Sequence, residues 1–138
     1  MIRKFDSRLL LLCALFALLA AACQTPNPVA VAETAEQKAF AIYGTYVVFS
    51  EQAAILAATP TIPASVRLGL VNAEGAAKPS ADALKAAYDQ AVAIAKEVAV
   101  GTSPQERYTI ALTNLNRWIT DASPTINALK AAVEGARK

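Results

Sequence analysis

From Thr34 onward, apolar residues recur at steps of three and four, the spacing that gathers side chains on one face of an α-helix. In residues 35–58, Ala35, Ala39, Ile42, Tyr46, Phe49, Ala53 and Leu56 form one continuous seam, with Phe40, Tyr43, Val47 and Ala54 beside it. The apolar arc is roughly 200° wide, against the ~100° of a helix with one buried stripe. This segment is therefore expected to contact two neighbours. Residues 81–100 present Leu84, Ala87, Tyr88, Ala91, Ile94, Ala95 and Val98 on one side, and residues 104–121 present Tyr108, Ala111, Leu112, Leu115, Trp118 and Ile119. Residues 124–136 add Ile126, Leu129 and Val133. Val47-Val48-Phe49 is a short β-like run, but it sits inside a longer helical period, and no strand is expected.

The punctuation between these segments divides them further. Thr34-Ala35-Glu36-Gln37 and Ser103-Pro104-Gln105-Glu106 both have the form of a capping box, the second with proline at the first helical position. Ser80 and Ser123 are further N-cap candidates, and Gly101 fits the left-handed residue that follows a helix. Breaks are expected at Thr59-Pro60-Thr61-Ile62-Pro63, at 75–79, at 101–103 and at Ser123-Pro124. Helices over 35–58, 63–74, 81–100, 104–121 and 124–136 result. The last two are either separate or one helix kinked at Pro124, which removes the bond to Thr120. The expected fold is all-α: a small antiparallel bundle of four or five helices over residues 34–138.

Composition sharpens this picture. Alanine supplies 32 of 138 residues, so helices form readily and approach closely, but the core is thin per residue. Asp82 with Lys85, Lys85 with Asp89, Arg117 with Asp121, and Lys130 with Glu134 stand three or four apart, as on solvated outer faces. There is no histidine, which excludes Ser–His and Cys–His nucleophile pairs and removes the commonest metal ligand. Neither a glycine-rich phosphate loop nor a metal-ligand spacing is present. Asp82 and Asp89 share a helical face, but Lys85 between them points to a salt-linked surface rather than a two-carboxylate site. No catalytic residue, metal or cofactor is expected, and the chain is read as a non-enzyme.

The first 33 residues differ in kind. Arg3, Lys4 and Arg8 precede an uninterrupted apolar run, LLLLCALFALL, of eleven residues at 9–19, within the length of an export signal and short of a membrane span. Ala20, Ala21 and Ala22 then lead to Cys23. Small residues before a cysteine at the end of such a run resemble the lipobox of bacterial lipoprotein precursors, with Ala in place of the usual Leu at position 20. The resemblance covers residues 1–23. It implies cleavage between Ala22 and Cys23, acylation of Cys23 and anchorage of the mature chain to the cell envelope. Gln24 after the cysteine, in place of Asp, implies the outer membrane in a Gram-negative host. Ala20-Ala21-Ala22 also fits an ordinary secretory A-x-A site with the same cut. Residues 24–33, with Pro26 and Pro28, read as a tether.

Removing the signal changes the bulk charge. Of 13 basic and 11 acidic residues, three and one lie in residues 1–22, which leaves ten of each and a mature net charge of zero. No general attraction to nucleic acid follows. With Cys13 discarded and Cys23 acylated, no disulfide is available, and stability must come from packing.

Three kinds of function fit. The first is a lipid-anchored interaction or structural module with a protein partner in the envelope. Val48 and Ile55, opposite the first seam, and Asn114 and Arg117, within Thr113-Asn114-Leu115-Asn116-Arg117-Trp118, are the candidate partner surface. Either the bundle leaves Val48 and Ile55 open, or the short second helix folds over them. The second is a bundle holding a small apolar or lipid molecule, with Phe40, Tyr43, Tyr46 and Phe49 lining a pocket or filling the core. The third is an enzyme working with carboxylates alone. In composition and anchor the chain also resembles small alanine-rich helical lipoproteins of bacteria and prophages, some linked to lysis or to exclusion of competing phage.

Overall fold

The computed structural model describes residues 34–138, which fall within one compact unit, Ala32–Lys138. The signal, the cleavage site at Ala22 and Cys23, and the tether lie outside the described residues. The described chain is all-helical, with three helices: α1 (Ala35–Ala58), α2 (Ala64–Ala99) and α3 (Gln105–Ala136). At 1.5 Å per residue they are roughly 36, 54 and 48 Å long. Phe40 of α1 meets Tyr88 of α2, and Tyr46 of α1 meets Glu74, so α1 and α2 run in opposite directions. Arg107 of α3 pairs with Glu97 of α2 across the next turn, and Tyr108 of α3 reaches back to Glu36 in the first turn of α1. The result is an antiparallel three-helix bundle in which each helix packs on both others.

Two expected breaks do not occur, so three helices stand in place of four or five. Residues 63–74 and 81–100 belong to one helix that runs through Pro79, and α3 runs through Pro124. The cause lies in the buried seam. Leu70, Ala77, Leu84 and Ala91 repeat every seven residues through Pro79 without a change of phase. Leu115, Ala122, Ile126, Leu129 and Val133 do the same through Pro124. A proline costs its helix one backbone bond, to the residue four before it. Pro79 and Gly75 are both exposed, as are Pro124 and Thr120, so each missing bond falls on the solvent side, where water can take it.

The caps follow local chemistry more closely. Thr34 and Gln37 form the capping box of α1, with both reciprocal bonds, at 3.2 and 3.0 Å. Gly101 has φ +75°, its N–H bonds the Val98 carbonyl, and the Thr102 N–H bonds that of Glu97. This pair of bonds is a Schellman ending, and it closes α2. The second box does not form: Pro104 caps α3 without a side-chain bond, and the Ser103 hydroxyl accepts from the Arg107 guanidinium at 2.9 Å. Ser80 lies inside α2 rather than at a cap, and the Ser123 hydroxyl bonds back to the Ile119 carbonyl at 2.5 Å within α3.

The core is thin, as the alanine content dictates. Among the described residues, only Leu70, Leu84, Leu115, Ile126, Leu129 and Val133 combine bulk with complete burial; much of the remaining interior is alanine. Ion pairs decorate the outside. Lys85–Asp89, Arg117–Asp121 and Lys130–Glu134 form as expected, while Asp82 takes Lys78 at 3.2 Å instead of Lys85. All of these pairs are about half exposed or more, and each contributes a few tenths of a kcal/mol.

One polar contact ties the start of α1 to α3. Burial pushes the Glu36 carboxyl up, but bonds from Tyr108, its own backbone and Thr34 outweigh that and hold it below the ordinary 4.5. A depressed carboxyl favours the fold above its unfolded pKa, and this contribution is lost as pH falls through the folded value. Tyr108→Phe is expected to move Glu36 back towards 4.5 and shrink the loss of stability below that pH. A carboxyl-carbon NMR titration of both forms checks it.

Candidate functional site

α1 is apolar on the side it buries and apolar on the side it does not. Its seam of Ala39, Ile42, Tyr46 and Ala53 is buried against α2 and α3. On the opposite side lie Phe40, 66% exposed, Val47, 45%, Val48, 49%, and Ile55, 61%, of which Phe40 reaches the ring of Tyr88 at the edge of α2. Gly44, Glu51, Ala54 and Ala58 share this side by helical spacing. By length and composition α1 would suffice to cross a membrane. Its hydroxyl and carboxylate contacts to α2 and α3 and its four-residue buried seam instead make it a member of the bundle with an uncovered outer face. α2 and α3 carry charged residues on their outer sides, with Val66, Leu68 and Val71 of α2 and Ile110 of α3 as exposed apolar residues among them.

Glu51 is the one ionisable group in the middle of that face, and it joins none of the ion pairs among the described residues. Beside the face, the second half of α1 and the first half of α2 leave an open groove of about 330 Å³, lined by Ser50, Ala53, Ala54, Ala57, Leu70, Val71 and Glu74. Val66, Leu68, 62% exposed, and Val71, 56%, are the exposed large apolar residues of this part of α2. The Glu74 carboxylate accepts from the Tyr46 hydroxyl at 3.0 Å and from Ser50 at 3.3 Å, which gives the groove one polar wall. Burial and the nearby Glu74 push the Tyr46 hydroxyl above its ordinary 10, against the opposing bond from Ser50, so it remains a donor.

The four aromatic residues of α1 are divided between core and surface. Tyr46 is buried, Tyr43 is half-buried with its ring 6.1 Å from that of Tyr46, and Phe49 is half-buried beneath the Lys130 ammonium at 5.8 Å. Phe40 is neither core nor pocket; it lies out on the surface, its ring 6.2 Å from that of Tyr88. None of the four lines the groove.

Val48 and Ile55 are open, and the first part of α2 does not fold over them. Asn114 and Arg117 are exposed on α3, where Arg117 pairs with Asp121 at 3.6 Å and lies 5.9 Å from the Trp118 ring. The four proposed partner residues are thus divided between α1 and α3. Val71, which borders the α1 face across the groove, joins it only through the packing of α2 on α1. Asp82 and Asp89 each hold their own lysine, and among the described residues no three His, Cys, Asp or Glu side chains gather as metal ligands would. Val48→Glu and Ile55→Glu together should leave helix content unchanged and shift stability by no more than about 1 kcal/mol. Far-UV circular dichroism with thermal melting checks this.

Comparison of the chain with protein-family models, curated proteins and solved structures finds no match.

Proposed function

We propose that this chain is a lipid-anchored envelope protein whose three-helix bundle is a non-catalytic interaction module, and that the outer face of α1 is its working surface. The observation that carries the reading is that face: exposed Phe40, Val47, Val48 and Ile55 gathered on one side of α1. Exposed apolar residues gathered on one side mark an interaction site on a small protein, where scattered single ones do not. The N-terminal pattern supports the anchor. Residues 9–19 and the Ala-Ala-Ala-Cys junction at 20–23 resemble a lipoprotein signal, and Gln24 favours the outer membrane of a Gram-negative host. The ten residues 24–33 span at most roughly 35 Å when extended, which keeps the bundle close to the membrane that holds Cys23.

Cys23→Ser is expected to release the protein from carbonate-washed membranes into the soluble fraction, and retention in the membrane would refute the lipid anchor. A second reading, a bundle that holds a small apolar or lipid molecule, draws on the groove beside α1. Its open side and its Glu74 wall suit a side chain from a partner better than an enclosed lipid tail.

A further inference from the structure

The groove between α1 and α2 ends on a carboxylate that is held in place but not neutralised. Glu74 accepts from the Tyr46 hydroxyl at 3.0 Å and from the Ser50 hydroxyl at 3.3 Å, and both bonds fall on the same oxygen, Oε1. A carboxylate oxygen has two lone-pair positions, so Oε1 is filled and Oε2 keeps its own for an incoming donor. Tyr46 and Ser50 stand one turn apart on α1, and together they fix the carboxylate from the neighbouring helix. Among the described residues Glu74 joins no ion pair. Lys78, one turn further along α2, takes Asp82 at 3.2 Å, and Arg67, seven residues before Glu74, does not line the groove.

Away from Glu74 and Ser50 the groove is apolar. Three of the four α1 residues that line it, Ala53, Ala54 and Ala57, are alanines, and their small side chains leave the room between the helices. From Ser50 to Ala57 it follows α1 for about 10 Å. We infer that the groove receives the side chain of a lysine from a partner protein, its stem along the alanines and its ammonium on Glu74. A four-carbon stem that ends in a compact point charge matches an apolar channel with one acceptor at its end. An apolar side chain in the same place would cover the Glu74 carboxylate without a counter-charge. The arginine fork binds best through both oxygens of a carboxylate, and Oε1 is already taken by two hydroxyls.

The same physics selects a protein as the source of the ammonium. Glu74 is half-buried, and a single ion pair at such a site contributes little by itself. A free amine would have only that pair and a shallow channel, whereas a lysine on a partner adds its charge to a contact made over a wider surface. The headgroup of an ethanolamine lipid carries its ammonium on a short stem beside a phosphate, which would bring a second negative charge to Glu74. The inference rests on the reading of the bundle as an interaction module and names the chemistry that the module recognises.

The test is zero-length coupling with a water-soluble carbodiimide, which joins a carboxylate to an amine in contact with it. It uses intact envelope from cells that carry the full-length chain with Lys78→Gln, which removes the neighbouring lysine on α2. Glu106 is exposed and joins no ion pair among the described residues, so it reports random coupling. Peptide mapping should find Glu74 joined to a lysine of another polypeptide at least tenfold more often than Glu106. Glu74→Gln, which keeps an acceptor for Tyr46 and Ser50, should lower copurification of that polypeptide at least fivefold and leave the melting curve unchanged. Coupling of Glu74 to a lipid headgroup or a small amine, no excess over Glu106, or copurification indifferent to Glu74→Gln would each overturn the partner lysine. If the chain is nevertheless found in crosslinked species that Val48→Glu and Ile55→Glu remove, the α1 face stands without the groove. If those species are absent as well, both readings fall.

Discussion

Leu84→Ala should destabilise the bundle by about 3 kcal/mol, within the range measured for buried leucines truncated in this way. Leu84 is fully buried, in the middle of α2, and is one of only six large side chains in the described residues with essentially no exposure. Its neighbours along the seam, Ala77, Ala81, Ala87 and Ala91, are alanines, with no long side chains to move into the space it would leave. Domains of this size have total stabilities of about 5–15 kcal/mol, so one truncation removes a large share. The melting temperature should fall by more than about 10 °C. Leu68→Ala on the same helix is the control, because Leu68 is 62% exposed. Its effect should stay within about 0.5 kcal/mol. Comparable losses from the two would mean that the seam is not where the core lies.

Pro79→Ala and Pro124→Ala should each do the opposite and raise stability by about 1–3 kcal/mol. Both prolines lie inside long helices, and a proline in a helix interior is about 3 kcal/mol less favourable than alanine. Alanine restores an N–H that can bond the Gly75 or the Thr120 carbonyl, and it removes the clash of the ring with that carbonyl. Neither proline side chain is buried, so no core contact is lost. Equilibrium unfolding in urea measures the gain. A loss of stability from either change would show that the packing depends on a bend set by the proline.

These two prolines also mark what the sequence could and could not convey. The helical class, the first helix, the Thr34 box and the Gly101 ending were legible, because each depends on residues within a few positions of one another. The continuity of α2 was not read, and that of α3 was left open between one kinked helix and two, because 75–79 and Ser123-Pro124 are strong local stop signals. The opposing signal is weaker and longer: Leu70 to Ala77 to Leu84 keeps phase through Pro79, and Leu115 to Ala122 to Ile126 keeps phase through Pro124. A stop signal whose lost bond faces solvent costs less than the breaking of a seam that buries side chains on both sides of it.

The candidate surface was half legible for a similar reason. Val48 and Ile55 could be placed opposite the seam by helical period alone. Whether they were covered depended on where residues 63–74 went, which is a question of tertiary packing. Phe40 read as core because its arc adjoins the seam, but a three-helix bundle presents α1 with two neighbours, and at that position only the ring of Tyr88 reaches it, which leaves it 66% exposed. Val71 joins the surface only through the packing of α2 against α1, for which no local pattern exists.

The central claim is that the outer face of α1 serves recognition and not stability. It is tested most directly by crosslinking intact envelope from cells that carry either the native chain or the Val48→Glu, Ile55→Glu variant, with melting curves of both. The variant should melt as the native protein does but lose the crosslinked species in which the native chain is found. A variant that keeps those species at native levels, or that loses cooperative melting, would contradict it.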